Sequence, residues 1–179
     1  MNKIPEFQQS WYSALIFATA RHSTQLYDTD KPYIFHLVNV CMTLTRFGFS
    51  LENHIRLHLA GILHDVVEDT STKISEVRKL FGDEVADIVN LVTDEKGETR
   101  KERHEKTYPV LASNRDAILV KLADRITNVE YSIATSNLKQ FRKYQKEYVY
   151  FRKVLYFEDH VEATKMWKCL DEHFLIEGE

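Results

Sequence analysis

Five glycines and three prolines in 179 residues are far below the average usage of roughly 7% and 5%. Tight turns draw on these two residues, so a fold of many short strands is disfavoured and long helices joined by few turns are favoured. Hydrophobic residues make up 44% of the chain and aromatics 12%, a composition that builds a core and does not resemble a disordered segment. At this length one domain over residues 1–179 is expected.

The apolar pattern agrees. Hydrophobic residues recur every three or four positions and nothing alternates as a strand does, which predicts an all-α bundle of about nine helices. Phe7, Trp11, Leu15 and Ala18 follow Pro5 as a first helix. Pro32 opens a second, carrying Ile34, Leu37, Val38, Cys41 and Leu44 and ended by Gly48. Ser50 is the expected cap of a third that runs through Ile55, Leu59, Ile62, Leu63 and Val66. Residues 72–81 and 83–93 read as two short helices parted at Gly82, and residues 94–99 as a polar loop. Pro109 should end or kink the charged helix that follows. Asn114 caps a helix from Ala117 to Ala123 that is apolar nearly all round and so belongs inside the core. Beyond Leu138 come a basic, aromatic helix and a last one from Val161 to Phe174. The basic run Lys139, Arg142, Lys143, Lys146, Arg152 and Lys153 reads as a solvated face opposite an aromatic core face, with RNA binding as the alternative.

Charge and cysteine usage limit the partners. With 24 basic and 27 acidic residues, a net charge of −3 and a pI near 6.2, the chain lacks the positive excess of a general DNA binder. No stretch approaches 18 uninterrupted apolar residues, so no membrane span is expected. Ala14–Ala20 has the apolar content of a signal peptide, but Glu6, Gln8 and Gln9 stand where a basic segment is required. Cys41 and Cys169 have no CxxC spacing, which suits a reducing, cytoplasmic setting.

The densest chemistry lies in His64-Asp65-Val66-Val67-Glu68-Asp69. On a helix, His64 and Glu68, and Asp65 and Asp69, lie one turn apart, so one turn offers an imidazole and three carboxylates. Acids that close raise one another's pKa and cost stability unless a cation neutralises them. His36 stands in an apolar helix and Asp124 in the buried one, where an unpaired carboxylate is costly. A divalent ion held by His36, His64, Asp65 and Asp124 would account for all of them. The residues also allow plainer readings. A histidine on an apolar helix is commonly a hydrogen-bonded core residue, as His22, His54, His58, His104, His160 and His173 are taken to be. Asp124 could pair with Lys121 or Arg125, and Glu68-Asp69-Thr70 could be a capped helix junction.

These stretches resemble the HD metal-dependent phosphohydrolases, and within them the alarmone hydrolase domain of RelA/SpoT proteins. The resemblance rests on Pro32-Tyr33-Ile34-Phe35-His36, Leu63-His64-Asp65-Val66-Val67-Glu68-Asp69-Thr70, Phe81-Gly82, Val92-Thr93-Asp94 and Lys121-Leu122-Ala123-Asp124-Arg125 with Asn128. It covers about residues 20 to 150 and leaves no room for a synthetase domain, so the chain looks like a free-standing small alarmone hydrolase. The resemblance implies a helical HD domain that binds manganese through His36, His64, Asp65 and Asp124. It implies removal of pyrophosphate from the 3′ position of ppGpp or pppGpp. Glu68 and Asp69 would orient or deprotonate the attacking water and assist the leaving ribose oxygen.

The expected substrate contacts are Tyr27, Arg100, Arg125, Asn128 and Tyr148. Asn128 would hold the ribose or a phosphate, and Arg125 would contact a phosphate or form a structural ion pair. By the resemblance, Arg100 lies near where the small hydrolases carry a substrate-binding lysine and Tyr148, after Glu147, would line the nucleotide pocket; the plainer readings are a solvated loop charge and a partly buried tyrosine. Tyr27-Asp28 replaces the family's Arg-Lys pair; Tyr27 still suits stacking on a purine, whereas Asp28 would repel phosphate. Glu130 stands where an arginine often follows the Asn. These departures keep an adenosine alarmone of the ppApp type, NADPH, and non-catalytic nucleotide binding as alternatives to the guanosine alarmone.

Overall fold

The computed structural model describes residues 3–158 and 160–175. Its helices are α1 (Glu6–Arg21), α2 (Ile34–Arg46), α3 (Ile55–Leu63), α4 (Val66–Asp69), α5 (Ile74–Phe81), α6 (Asp83–Val92), α7 (Arg100–Leu111), α8 (Arg115–Ala134), α9 (Leu138–Leu155) and α10 (Val161–Leu175). Among the described residues the only β pairing is an isolated bridge between Leu26 and Pro32. It is tied by Tyr27 N to Lys31 O (2.9 Å) and Tyr33 N to Gln25 O (3.0 Å). The fold is all-α, as the periodicity predicts.

α8 is the axis of the bundle. Its Ala117, Val120, Leu122, Ala123 and Ile126 are fully buried, and α2, α3, α6, α9 and α10 all pack on it. One hydrophobic core runs from Ala14 in α1 to Leu170 in α10. Asn114 caps α8, its side chain accepting from Ala117 N at 3.0 Å. Gly61 lets α3 lie against α2, since a Cβ there would meet Cys41 Sγ and Leu44 Cδ1 at 3.3 Å. Gly82, at φ +88°, makes the left-handed turn between α5 and α6. On α9, Phe141, Tyr144, Tyr148 and Phe151 are buried while Lys139, Arg142 and Lys146 face solvent.

Two local expectations are corrected, and of the two alternatives at Pro109 the helix end falls away. Ser50 does not cap α3. It accepts from Asn53 N (3.4 Å) and His54 N (2.9 Å), closing a separate turn ahead of Ile55. The third helix does not run unbroken to Val66 but breaks at His64-Asp65 and resumes as the single turn α4. α7 continues two residues past Pro109. Pro109 and Glu105 are both exposed, so the carbonyl that lacks an amide partner lies on the solvated side and its loss costs little.

Two predictions follow from these contacts. Asn114→Ala removes the α8 cap and should cost ~1 kcal/mol, read as a lower denaturant midpoint with unchanged slope. The second concerns His104, which is buried, stacks on Tyr108 at 4.5 Å and lies 3.5 Å from Asp94. Burial holds its imidazole down to about 4 from the usual 6.5, with Asp94 pulling the other way. The unfolded chain therefore takes up this proton first, so the contribution is present above pH 6.5 and lost as pH falls toward 4. Melting temperature should drop across that window, and His104→Gln should make the drop shallower.

A candidate metal centre where three helices meet

His36 comes from the first turn of α2, His64 and Asp65 from the break between α3 and α4, and Asp124 from the middle of α8. Both imidazoles are almost fully buried. His64 Nδ1 donates to Gly61 O at 2.8 Å, one turn back. That bond fixes the tautomer and turns Nε2 to the interior. His64 Nε2 lies 2.9 Å from Asp65 Oδ2 and 3.8 Å from Asp124 Oδ1. His36 Nε2 lies 3.8 Å from Asp65 Oδ2 and 3.3 Å from Asp124 Oδ1. Donor atoms of His36, His64 and Asp65 all fall within 4.8 Å of one another.

Neighbours hold the carboxylates in place. Tyr33 Oη donates to Asp65 Oδ2 at 2.6 Å, and Asn128 Nδ2 donates to Asp124 Oδ1 and to its backbone carbonyl. Despite this, His64 Nε2 has no hydrogen-bond partner of proper geometry. A buried imidazole nitrogen with no partner, aimed among carboxylate oxygens, is costly by itself and suits a divalent ion.

Electrostatics point the same way. Burial alone would lower the His64 pKa, but the Asp65 and Asp124 carboxylates outweigh it and push it up to about 9. Burial would raise both aspartates, yet the two imidazoles hold them below the ordinary carboxylate range.

His36, Asp65 and Asp124 line a cleft of about 260 Å³, with His64 behind them. Glu68 and Asp69 stand on its wall. Glu68 Oε2 accepts from Asp94 N at 3.0 Å, Oε1 lies 3.6 Å from Arg103, and burial raises the Glu68 pKa. Asp69 Oδ2 accepts from Gln25 Nε2 at 2.8 Å. Lys121 reaches the cleft from α8, its ammonium donating to Val92 O at 3.0 Å and lying 3.9 Å from Asp94.

Of the expected substrate residues, Tyr27, Arg100 and Asn128 line this cleft. One face of the Tyr27 ring is already covered by His36, stacked at 4.7 Å and 11°, and its hydroxyl donates to Asn128 Oδ1 at 2.9 Å. Arg100 Nε pairs with Glu147 at 2.7 Å.

Arg125 and Tyr148 do not reach the cleft. Arg125 is buried and holds Glu147 at 2.8 Å and Tyr108 Oη at 3.3 Å, with its guanidinium over the Tyr144 and Phe151 rings. That is the ion-pair arrangement, not a phosphate contact. Tyr148 turns to α10 and donates to Asp171 Oδ1 at 2.6 Å. One helical turn earlier, Tyr144 takes the place in the cleft expected of Tyr148.

Tyr33, Asp94, Lys121, Gln140, Lys143 and Tyr144 also line the cleft and were not among the expected site residues. Tyr33, Asp94 and Lys121 lie inside the matching motifs, which was the available signal. Tyr144 and Tyr148 are one turn apart on the same aromatic face, so spacing could not choose between them. Asp28 is occupied by Tyr131 Oη (2.7 Å) and Thr29 N (2.7 Å), and Glu130 by a two-pronged pair with Arg46.

Residues 14–150 match the HD domain family model. The chain is 33% identical over 134 residues to a guanosine-3′,5′-bis(diphosphate) 3′-pyrophosphohydrolase of Aquifex aeolicus, covering 73% of this chain and 19% of that protein. It is 37% identical over 101 residues to the enzyme of that name, MESH1, of Drosophila melanogaster, covering 56% and 55%. The Danio rerio MESH1 is 36% identical over 117 residues, covering 63% of each. The chain thus spans about a fifth of the Aquifex relative and about three fifths of the short ones. A solved structure described as a metazoan ortholog of SpoT that hydrolyzes ppGpp superimposes with a TM-score of 0.73 at 26% identity, covering 99% of both chains. The HD domain implies a divalent metal, and the His/Asp cluster offers its donors. The chain belongs to the HD-domain family.

Proposed function

We propose that this chain is a manganese-dependent hydrolase of guanosine alarmones, converting ppGpp or pppGpp to GDP or GTP and pyrophosphate. The observation that carries the reading is the unpartnered His64 nitrogen among the Asp65 and Asp124 carboxylates, beside a cleft lined by His36, Asp65 and Asp124 and by Lys121, Arg100 and Lys143. His36, His64, Asp65 and Asp124 would hold the ion. Once bound, the ion supplies Lewis-acid chemistry, acidifying water and offsetting phosphate charge.

The chain's own residues do the rest. Tyr33 and Asn128 fix the carboxylates, so the donor set is organised before any ligand arrives. Glu68 and Asp69 sit one turn from the cluster, where they take a proton from the attacking water and return one to the ribose 3′ oxygen as its bond to phosphorus breaks. The raised pKa of Glu68 suits a group that must both accept and give a proton. Lys143 and Arg100 face the remaining phosphates, and Tyr27 packs at the nucleoside end. The continuous core from Ala14 to Leu170 supports treating residues 1–179 as one hydrolase domain. No described helix is long and apolar enough to cross a membrane; the free thiols of Cys41 and Cys169 suit a cytoplasmic setting.

Glu68→Gln and Asp69→Asn should each lower kcat by about 100-fold or more while manganese content by elemental analysis stays at wild-type level. His64→Ala and Asp124→Ala should lose the ion; full metal content in both would remove the proposed ligands. In a side-by-side assay with manganese, ppGpp should be turned over faster than ppApp or NADPH. Faster ppApp turnover would reassign the base, and nucleotide binding without turnover of any of them would make the chain a sensor.

A further inference from the structure

Away from the cleft, on the other side of α8, three groups with metal-binding atoms come together. Cys169 and His173 lie one turn apart on α10, and Glu130 faces them from α8. Cys169 Sγ is 3.7 Å from Glu130 Oε1 and 3.6 Å from His173 Nε2, and that nitrogen is 3.2 Å from Glu130 Oε1. The usual zinc bond lengths place two ligands of a tetrahedral site about 3.6 Å apart for thiolate and imidazole, about 3.6 Å for thiolate and carboxylate, and about 3.4 Å for imidazole and carboxylate. The three observed separations match one face of that tetrahedron.

We infer that Glu130, Cys169 and His173 form a second metal site, selective for zinc, that clips α10 to α8. A thiolate, an imidazole and a carboxylate suit a borderline-soft ion, whereas the cleft donors are two imidazoles and two carboxylates with no sulfur. Arg46, the last residue of α2, holds Glu130 from behind, with Nη1 on Oε2 at 2.9 Å and Nη2 on Oε1 at 2.8 Å. Nη2 also approaches Cys169 Sγ at 4.0 Å. Oε2 keeps the arginine, and Oε1 has a second lone pair for the ion. Glu130 and His173 side chains are 30% and 26% exposed, so the ion enters from solvent and the fourth position lies on that side. As the Zn–S bond forms, the thiol proton leaves to solvent. The site would fasten the last helix to the helix that carries Asp124, and through Arg46 to the one that carries His36. It does not depend on the alarmone reading.

Cobalt titration separates the two centres, because only a thiolate gives a sulfur-to-cobalt charge-transfer band. The full chain should develop that band as Co²⁺ is added up to two equivalents, one for each centre, and lose it as Zn²⁺ displaces the cobalt. Cys169→Ser and Cys169→Ala should abolish it, with helical circular dichroism unchanged. His173→Gln should weaken cobalt binding by about 10-fold or more. Cys41→Ala and His64→Ala should keep the band. Zn²⁺ should also raise the melting temperature of His64→Ala and leave the His64→Ala/Cys169→Ser double variant unmoved. No sulfur band in the wild type, or a band that survives in either Cys169 variant, overturns the site.

Discussion

Two buried imidazoles and two mostly covered carboxylates, brought together where α2, the α3–α4 break and α8 meet, set the terms for the rest of this fold. Four such groups cannot be desolvated unless they neutralise one another. His36 and His64 hold the aspartates ionised, and the aspartates raise His64 in return. The balance stays incomplete at His64 Nε2, which has no hydrogen-bond partner. The helices around the site are placed to keep that balance. Gly61 brings α3 close to α2, and its carbonyl fixes the His64 tautomer.

A second layer of polar groups supports the cluster. Tyr33 and Asn128 each hold one carboxylate, and Tyr27 stacks on His36 while binding Asn128. Their hydrogen bonds limit how the carboxylates can rotate, which keeps the donors in place. Beyond them, Glu147 sits between Arg100 and Arg125 and joins α9 to α7 and α8. This explains why a buried arginine next to Asp124 does not face the cleft. Its charge is already used in holding the wall.

The departures from the family pattern have a structural use of their own. Asp28 binds Tyr131 across the loop that carries Tyr27. Glu130 binds Arg46 and, facing Cys169 and His173, becomes part of a separate cluster. Neither residue is a defective copy of a substrate contact. Each has been taken into a local network on the outer side of α8 or over its end.

The helical fold class was legible from the scarcity of glycine and proline and from the apolar spacing, because helix formation depends on neighbours within one or two turns. Asn114, Gly82 and the polar loop at residues 94–99 were legible for the same reason. The residue types of the metal cluster could be read as well, since histidine and aspartate in apolar helices demand an explanation wherever they lie. What stayed hidden were choices between positions on the same face. Whether Tyr144 or Tyr148 turns to the cleft depends on Asp171, 23 residues on, which takes the Tyr148 hydroxyl. That Cys169 lies beside Glu130 could not be read either, because 39 residues separate them. Sequence alone determined which chemical groups must be buried, since solvation cost belongs to the residue type. Which partner each buried group finds was decided only by the packing of α8 against its neighbours, because hydrogen bonds and ion pairs form across distances that local spacing does not encode.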